Sequence, residues 1–136
     1  MRVWAARILV FVVFAINVYC ALLFVFFPEG SMAAYELTGA SGRVALQGIG
    51  VVFMMWNCTY PLVILNPQKY RALFTIVIAQ QIVGLIGESL ILIHLPDGHA
   101  LLAQGILRFI IFDSAGLVGL ITAFLLSRKN WGAKYG

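Results

Sequence analysis

Charged residues are scarce in this chain, and their scarcity decides its broad class. Only 10% of the 136 residues are Asp, Glu, Lys or Arg, whereas 62% are hydrophobic. A soluble domain averages about 25% charged and about 45–50% apolar residues. A chain of this composition would expose too much apolar surface in water. We therefore predict that residues 1–136 form a single integral membrane domain that contacts the lipid bilayer.

Sequence motifs for cofactors and catalysis are missing. Cys20 and Cys58 lie in apolar runs and form no C-x-x-C pair, so a dithiol redox site has no support. No histidine lies within an apolar run, which removes the usual b-type haem ligands. His94 and His99 flank a turn, but their spacing is not that of a recognised metal site. We therefore expect no catalytic residue, no metal and no resident cofactor, while a quinone or a lipid stays open as a ligand.

Four apolar runs are long enough to cross a bilayer, which takes about 20 mostly apolar residues. They cover roughly residues 5–27, 44–65, 72–93 and 101–126, called spans one to four. Prolines and glycines mark the turns between them. Because backbone groups in lipid must be satisfied within each span, and the alternation of a barrel strand is absent, we predict an all-α four-transmembrane-helix bundle. Pro61 predicts a kink near the end of span two.

Basic residues are distributed unevenly among the predicted loops. Most of them lie before span one, between spans two and three, or after span four: Arg2, Arg7, Lys69, Arg71, Arg128, Lys129 and Lys134. The other two loops carry Glu29, Glu36 and Asp97 with a single basic residue, Arg43. Since positive residues stay on the cytoplasmic side, we predict cytoplasmic N and C termini, as in a bacterial-type inner membrane. The basic residues form no single binding stripe, so no nucleic-acid partner is expected.

Aromatic residues near the two ends of the chain are candidates for interfacial anchors. They are Trp4, Trp131 and Tyr135. Trp and Tyr favour the headgroup level of a bilayer, where the ring is partly apolar and partly hydrated.

Similar short segments recur in the two halves. Phe27-Pro28-Glu29-Gly30 and Leu95-Pro96-Asp97-Gly98 follow spans one and three, and Gln47-Gly48-Ile49 and Gln104-Gly105-Ile106 open spans two and four. The halves run in the same direction, which would make a parallel 2+2 repeat, as in some transporters. The spacing between the segments differs between the halves, so duplication and chance similarity both stay open.

Glu88, Arg108 and Asp113 lie inside otherwise apolar spans. Charges at this depth normally face a protein interior, pair with each other or line a pathway. A rise of about 1.5 Å per residue places both Glu88 and Arg108 about 9–10 Å below the outer ends of their spans, so we expect an ion pair between them. Asp113 lies deeper and has no assigned basic partner, so we expect it to be protonated or hydrogen-bonded to Gln81 or Asn57. These five residues are candidates for a ligand site, or else hydrogen-bonded contacts between helices.

Small residues mark candidate faces for close helix packing. They are Gly84 and Gly87 in span three and Ala115, Gly119 and Ala123 in span four. Small residues four apart let two helix backbones approach closely. The face on span four could serve the bundle itself or another protein.

Two short segments are distinctive: Phe27-Pro28-Glu29 after span one, and Gly42-Arg43-Val44-Ala45-Leu46-Gln47-Gly48 before and within span two. With these segments the chain resembles the small DoxX-like membrane proteins. The resemblance implies four helices and cytoplasmic termini over the whole chain. That group includes accessory subunits of membrane oxidoreductases, but no catalytic residue carries over, and a thiol-redox role would need a cysteine pair.

Three functions are compatible with the sequence. The first is a small non-catalytic subunit that packs against other transmembrane subunits of a larger complex, such as a respiratory or photosynthetic one. The second is a ligand-binding protein or oxidoreductase component that uses the Glu88, Arg108 and Asp113 cluster on a quinone or lipid. The third is a transporter or channel built by self-association. The small size, the small-residue faces and the missing cofactor motifs favour the first.

Overall fold

The computed structural model describes residues 1–128, and these residues are helical without any strand. The α-helices are α1 (Arg2–Phe26), α2 (Glu29–Met32), α3 (Gly39–Asn57), α4 (Tyr60–Leu65), α5 (Arg71–Ile93) and α6 (Ala100–Leu126). A 3₁₀ turn, Ala33–Tyr35, follows α2. The charge and anchor roles predicted for Lys129, Trp131, Lys134 and Tyr135 fall outside the described residues.

Four helical stretches are long and apolar enough to cross a membrane: Arg2–Phe26, Gly39–Leu65, Arg71–Ile93 and Ala100–Leu126. This confirms the all-α class and the number of spans, and it is consistent with a multi-pass integral membrane protein. The second of these stretches begins at Gly39 rather than near residue 44, because its first turn is too polar to be recognised as part of an apolar run. The cytoplasmic placement of the termini and the parallel repeat stay predictions.

The second membrane-length helix is interrupted near Pro61, as predicted. Helix α3 ends at Asn57, and α4 resumes at Tyr60 with the proline in its first turn. Proline lacks an N–H, so Pro61 cannot donate to the carbonyl of Asn57, four residues earlier. Two side chains bond to backbone carbonyls beside the break: Thr59 Oγ1 donates to Trp56 O at 2.8 Å, and Asn57 Nδ2 donates to Phe53 O at 2.7 Å.

Helix α1 is the centre of the bundle. It packs against α3, α4 and α6, whereas α5 packs mainly on α6 and on the short α4. The buried apolar core contains Ala6, Val10, Val13, Tyr60, Val63, Phe74, Val77, Leu120 and Ala123. These residues lie toward the end of the bundle that carries Arg2 and Arg71. We call the opposite end, with the α1–α3 and α5–α6 connections, the outer end, following the predicted topology. There α3 and α5 are less closely packed, which leaves room for a cavity.

The outer connections are joined by ion pairs. Arg43 pairs with Glu29, and His99 Nδ1 contacts Glu36 Oε2, which links the start of α6 to the segment after the 3₁₀ turn. The hydrogen bond from His99 is the main reason that the pKa of Glu36 lies below its ordinary value. Glu36 also has a left-handed backbone, with φ of 53°. The Glu36–His99 contact therefore holds a sharply turned segment over the outer end.

Glu36→Gln should increase hydrogen exchange in residues 29–38 at neutral pH, measured by mass spectrometry in detergent. A carboxyl whose pKa falls on folding stabilises the fold above its unfolded pKa, and this contribution disappears as the pH drops below it. The unsubstituted protein should therefore gain exchange in this segment below about pH 4.5, the ordinary Glu value. The variant should lack that acid-dependent step. Equal profiles for the two proteins would show that the contact does not order the segment.

Candidate functional site

Four of the five predicted site residues face the bundle interior, and the fifth does not. Asn57 and Gln81 are buried, and Glu88 and Asp113 are partly buried, whereas Arg108 is exposed. The predicted Glu88–Arg108 ion pair is wrong, since no such contact occurs among residues 1–128. Equal depth in the membrane does not by itself bring two side chains into contact. Arg108 and Asp113 are five residues apart, which separates them by about 140° around the helix axis, and Asp113 is the one that faces α5.

The Gln81 amide joins α5 to α6 through Asp113. Its Nε2 donates to Asp113 Oδ1 at 2.9 Å and lies 3.3 Å from the Asp113 main-chain oxygen. This confirms the prediction that Asp113 bonds to a buried amide. Asn57 does not take part, because its Nδ2 bonds within its own helix and its Oδ1 is buried without a partner.

Glycines make room for the Gln81–Asp113 pair. A Cβ built on Gly84 would lie 3.0 Å from Asp113 Oδ2, and one on Gly116 would lie 3.1 Å from Gln81 Nε2. Gly84 was predicted as a packing residue, but Gly116 was not, because it stands outside the four-residue series on α6. Among the described residues, Gly87 has nothing within 4 Å of such a Cβ, so it makes no close contact inside the bundle and its packing role stays a prediction.

The small residues of α6 do not form one packing face. Ala123 is fully buried in the core, Ala115 is exposed, and a Cβ on Gly119 would meet nothing within 4 Å. Within residues 1–128, Ala123 is therefore the member of this series that packs in the core, and contact of Ala115 and Gly119 with another protein stays a prediction. Each four-residue step turns about 40° past a full revolution, so Ala115 and Ala123 point about 80° apart.

A cavity of about 320 Å³ occupies the outer half of the bundle between α3, α5 and α6. Its wall is apolar and aromatic apart from Tyr35 and Glu88. Ring centroids of Phe24, Tyr35, Phe53 and Phe109 lie 5.7–6.4 Å apart where they contact, an ordinary range for aromatic pairs. We call this space the aromatic cavity. The sequence did not predict it, because its four rings come from four different segments and share no spacing.

Glu88 stands where the aromatic cavity meets a second, polar space. The polar space has a volume of about 10 Å³ and is lined by Asn17, Trp56, Gln81 and Asp113, among others. That is about the minimum volume needed for one water molecule. Glu88 lines both spaces, and its Oε2 is buried without a hydrogen-bond partner among residues 1–128. A carboxyl group on the wall of an apolar cavity can accept a hydrogen bond when ionised and donate one when protonated.

Comparison with known protein families, curated proteins and solved structures finds no match to this chain.

Proposed function

We propose that this protein binds an amphipathic, membrane-soluble ligand of the quinone or lipid class in the aromatic cavity. The ligand's polar head would meet Glu88, and its apolar body would lie among the aromatic rings. The observation that carries this proposal is the position of Glu88, whose side chain lines the cavity and whose buried Oε2 has no hydrogen-bond partner within residues 1–128. A buried polar atom without a hydrogen bond costs about 1–3 kcal/mol, and a ligand donor would recover that cost.

The chemistry of Glu88 limits the head group. An ionised carboxylate accepts hydrogen bonds only, so it suits a hydroxyl, and a protonated carboxyl can donate one to a carbonyl. Quinones and quinols present these two groups in turn, and hydroxylated lipids present the first. Tyr35, which also lines the cavity, carries a hydroxyl group as a second polar group. The scarcity of other polar groups there favours a head with one or two hydrogen-bonding atoms rather than a charged one.

The volume of the cavity limits how much of the ligand it encloses. Ligand pockets usually measure about 300–1,000 Å³, and 320 Å³ lies at the low end. The cavity can therefore hold a ring or a short head, while a long tail must leave the bundle. The loose outer packing of α3 on α5 provides an exit toward lipid.

Quenching of Trp56 fluorescence tests this proposal, because Trp56 lines the polar space and stacks on Phe53 at 5.0 Å. In a Trp4→Phe, Trp131→Phe background, the quinone probe decylubiquinone should quench the signal saturably. Glu88→Leu should weaken the apparent affinity by about threefold to tenfold, since the hydrogen bond that a protonated carboxyl donates to a quinone carbonyl contributes about 0.5–1.5 kcal/mol. Asp97→Asn, a carboxyl change in the exposed outer turn, should leave it unchanged. Linear quenching that is equal in all three proteins would refute binding at Glu88.

The subunit role predicted from the sequence is a second candidate, and it has its own supporting observation. Ala115 and Gly119 leave part of α6 open to the surroundings of the bundle. Gly119→Leu should then preserve the thermal stability of the isolated protein and release it from any assembly in mild detergent, as judged by native mass. An unchanged mass would count against a partner at this face.

A further inference from the structure

Arg108 is a positive charge on the membrane-facing side of α6. It is exposed, and so are its neighbours on the same face, Gln104, Ile111 and Ala115. Lipid is the ordinary surrounding of such a face. An arginine in this setting is costly unless an anionic group accompanies it.

The acidic side chains of the chain do not supply that anionic group. The sequence contains five of them. Glu29 pairs with Arg43, Glu36 with His99, and Asp113 bonds to Gln81. Glu88 faces the cavities, and Asp97 lies in the exposed outer turn. Among residues 1–128, Arg108 therefore has no carboxylate partner. In a second copy of the chain the carboxyl at this depth, Glu88, would face that copy's own cavities.

The direction of the side chain determines what Arg108 can reach. It follows Ala100, the first residue of α6, by eight positions, which is about 12 Å along the axis. Side chains on a helix lean toward its N-terminus, and the N-terminus of α6 lies at the outer end. A long arginine can thus extend its guanidinium upward, with its methylene stem in lipid. Gln104 lies one turn above on the same face.

The outer position of the guanidinium agrees with its effect on Tyr35, in the 3₁₀ turn. Burial raises the pKa of Tyr35 to about 12, and the Arg108 charge acts in the opposite direction. The guanidinium is therefore close enough to the 3₁₀ turn to act on it electrostatically.

We propose that Arg108, with Gln104 beside it, binds the phosphate of an outer-leaflet phospholipid. The guanidinium offers donors in a planar fork that matches phosphate oxygens, and the Gln104 amide can donate to the phosphate or to a glycerol ester. This site lies on a different side of α6 from Ile106 and Phe109, which line the aromatic cavity. It is independent of the proposed function and would persist with the cavity empty.

Native mass spectrometry of the protein released from nanodiscs tests the site, with phosphatidylglycerol as the probe. The unsubstituted protein should retain a phosphatidylglycerol, and Arg108→Gln should retain it at least about tenfold more weakly, because a charge-assisted hydrogen bond is lost. Arg43→Gln is the matched control, since Arg43 is an exposed outer arginine whose partner is Glu29. It should retain the lipid normally. Equal retention by Arg108→Gln would overturn the proposal.

A second measurement needs no variant and stands even if Arg108→Gln does not fold. Nanodiscs made of a galactolipid without phosphate should yield protein with no retained lipid, and added phosphatidylglycerol should restore one. Retention of the galactolipid to the same degree would overturn the proposal. A different outcome would also overturn it: the Arg108→Gln variant binds phosphatidylglycerol normally, but a protein that accompanies the parent from native membranes is lost. The group that pairs with Arg108 would then be a carboxylate of that protein.

Discussion

Gly50→Val is expected to destabilise the bundle sharply. A Cβ on Gly50 would lie 2.8 Å from Val25 Cγ2 and 2.9 Å from the carbonyl oxygen of Ala21. The carbonyl belongs to the α1 backbone and cannot rotate away, so α1 and α3 would have to separate. Overpacking of this kind usually costs about 1–3 kcal/mol and occasionally more. Separation would also break the bond from Gln47 Nε2 to Val25 O, now 3.0 Å long.

Gly48→Val is the matched control for this prediction. It makes the same chemical change two residues earlier on α3, where a Cβ meets nothing within 4 Å. Its melting temperature should stay at or above that of the parent, since valine is a better helix former than glycine. The melting temperature can be measured in detergent by size-exclusion chromatography of heated samples. If the two variants have the same melting temperature, the close contact of α1 with α3 does not stabilise the outer half of the bundle.

The second large effect concerns the Gln81–Asp113 bond between α5 and α6. Gln81→Leu should destabilise the protein because it leaves the Asp113 carboxyl without its donor, a loss of about 1–3 kcal/mol. Asp113→Leu should have a similar effect, because it leaves the Gln81 amide without its carboxyl acceptor. The double variant should be less destabilised than the sum of the two, since no unpaired group remains. Coupling energies between polar side chains in membrane proteins average about 0.6 and reach about 1.7 kcal/mol, and this bond should lie toward the upper end.

Gln80→Leu provides the comparison for Gln81→Leu. Gln80 lies next to Gln81 on α5 and is only half-buried, and its amide lies 3.3 Å from Thr59 Oγ1, whose one hydrogen already bonds to Trp56 O at 2.8 Å. The same substitution there should cost less. Equal losses at the two positions, or strict additivity in the double variant, would show that Gln81 and Asp113 do not stabilise the bundle as a pair.

The spans could be predicted from the sequence because lipid imposes a length and a composition on each helix. Depth could be predicted for a similar reason, since each residue adds a fixed rise. The direction of a side chain around the helix could not, because it depends on which helices are neighbours. This is why depth narrows the partner of Asp113 to Gln81 or Asn57 without choosing between them, and why Arg108 is assigned to Glu88 although it faces outward.

The aromatic cavity was beyond sequence reasoning for a different reason. Phe24, Tyr35, Phe53 and Phe109 come from α1, the 3₁₀ turn, α3 and α6, so no periodicity within one helix connects them. Their meeting depends on the close approach of α1 to α3 at Gly50 and on the position of the 3₁₀ turn beside α6. Glu88 was recognisable as unusual from its charge alone, but not as the residue at the base of a cavity.

The most direct measurement of the central claim is the mass of any small molecule that leaves native membranes with the protein. The protein should be released in polymer-bounded lipid discs and analysed by native mass spectrometry. The account predicts a bound molecule other than bulk phospholipid, carried by the unsubstituted protein and missing from Ile106→Trp, which fills the aromatic cavity. Ile93→Trp, an exposed position outside the cavity lining, should keep it. If Ile106→Trp folds and carries the molecule as fully as the parent does, or if the parent carries none and binds no added quinone or hydroxylated lipid, the aromatic cavity is not a ligand site.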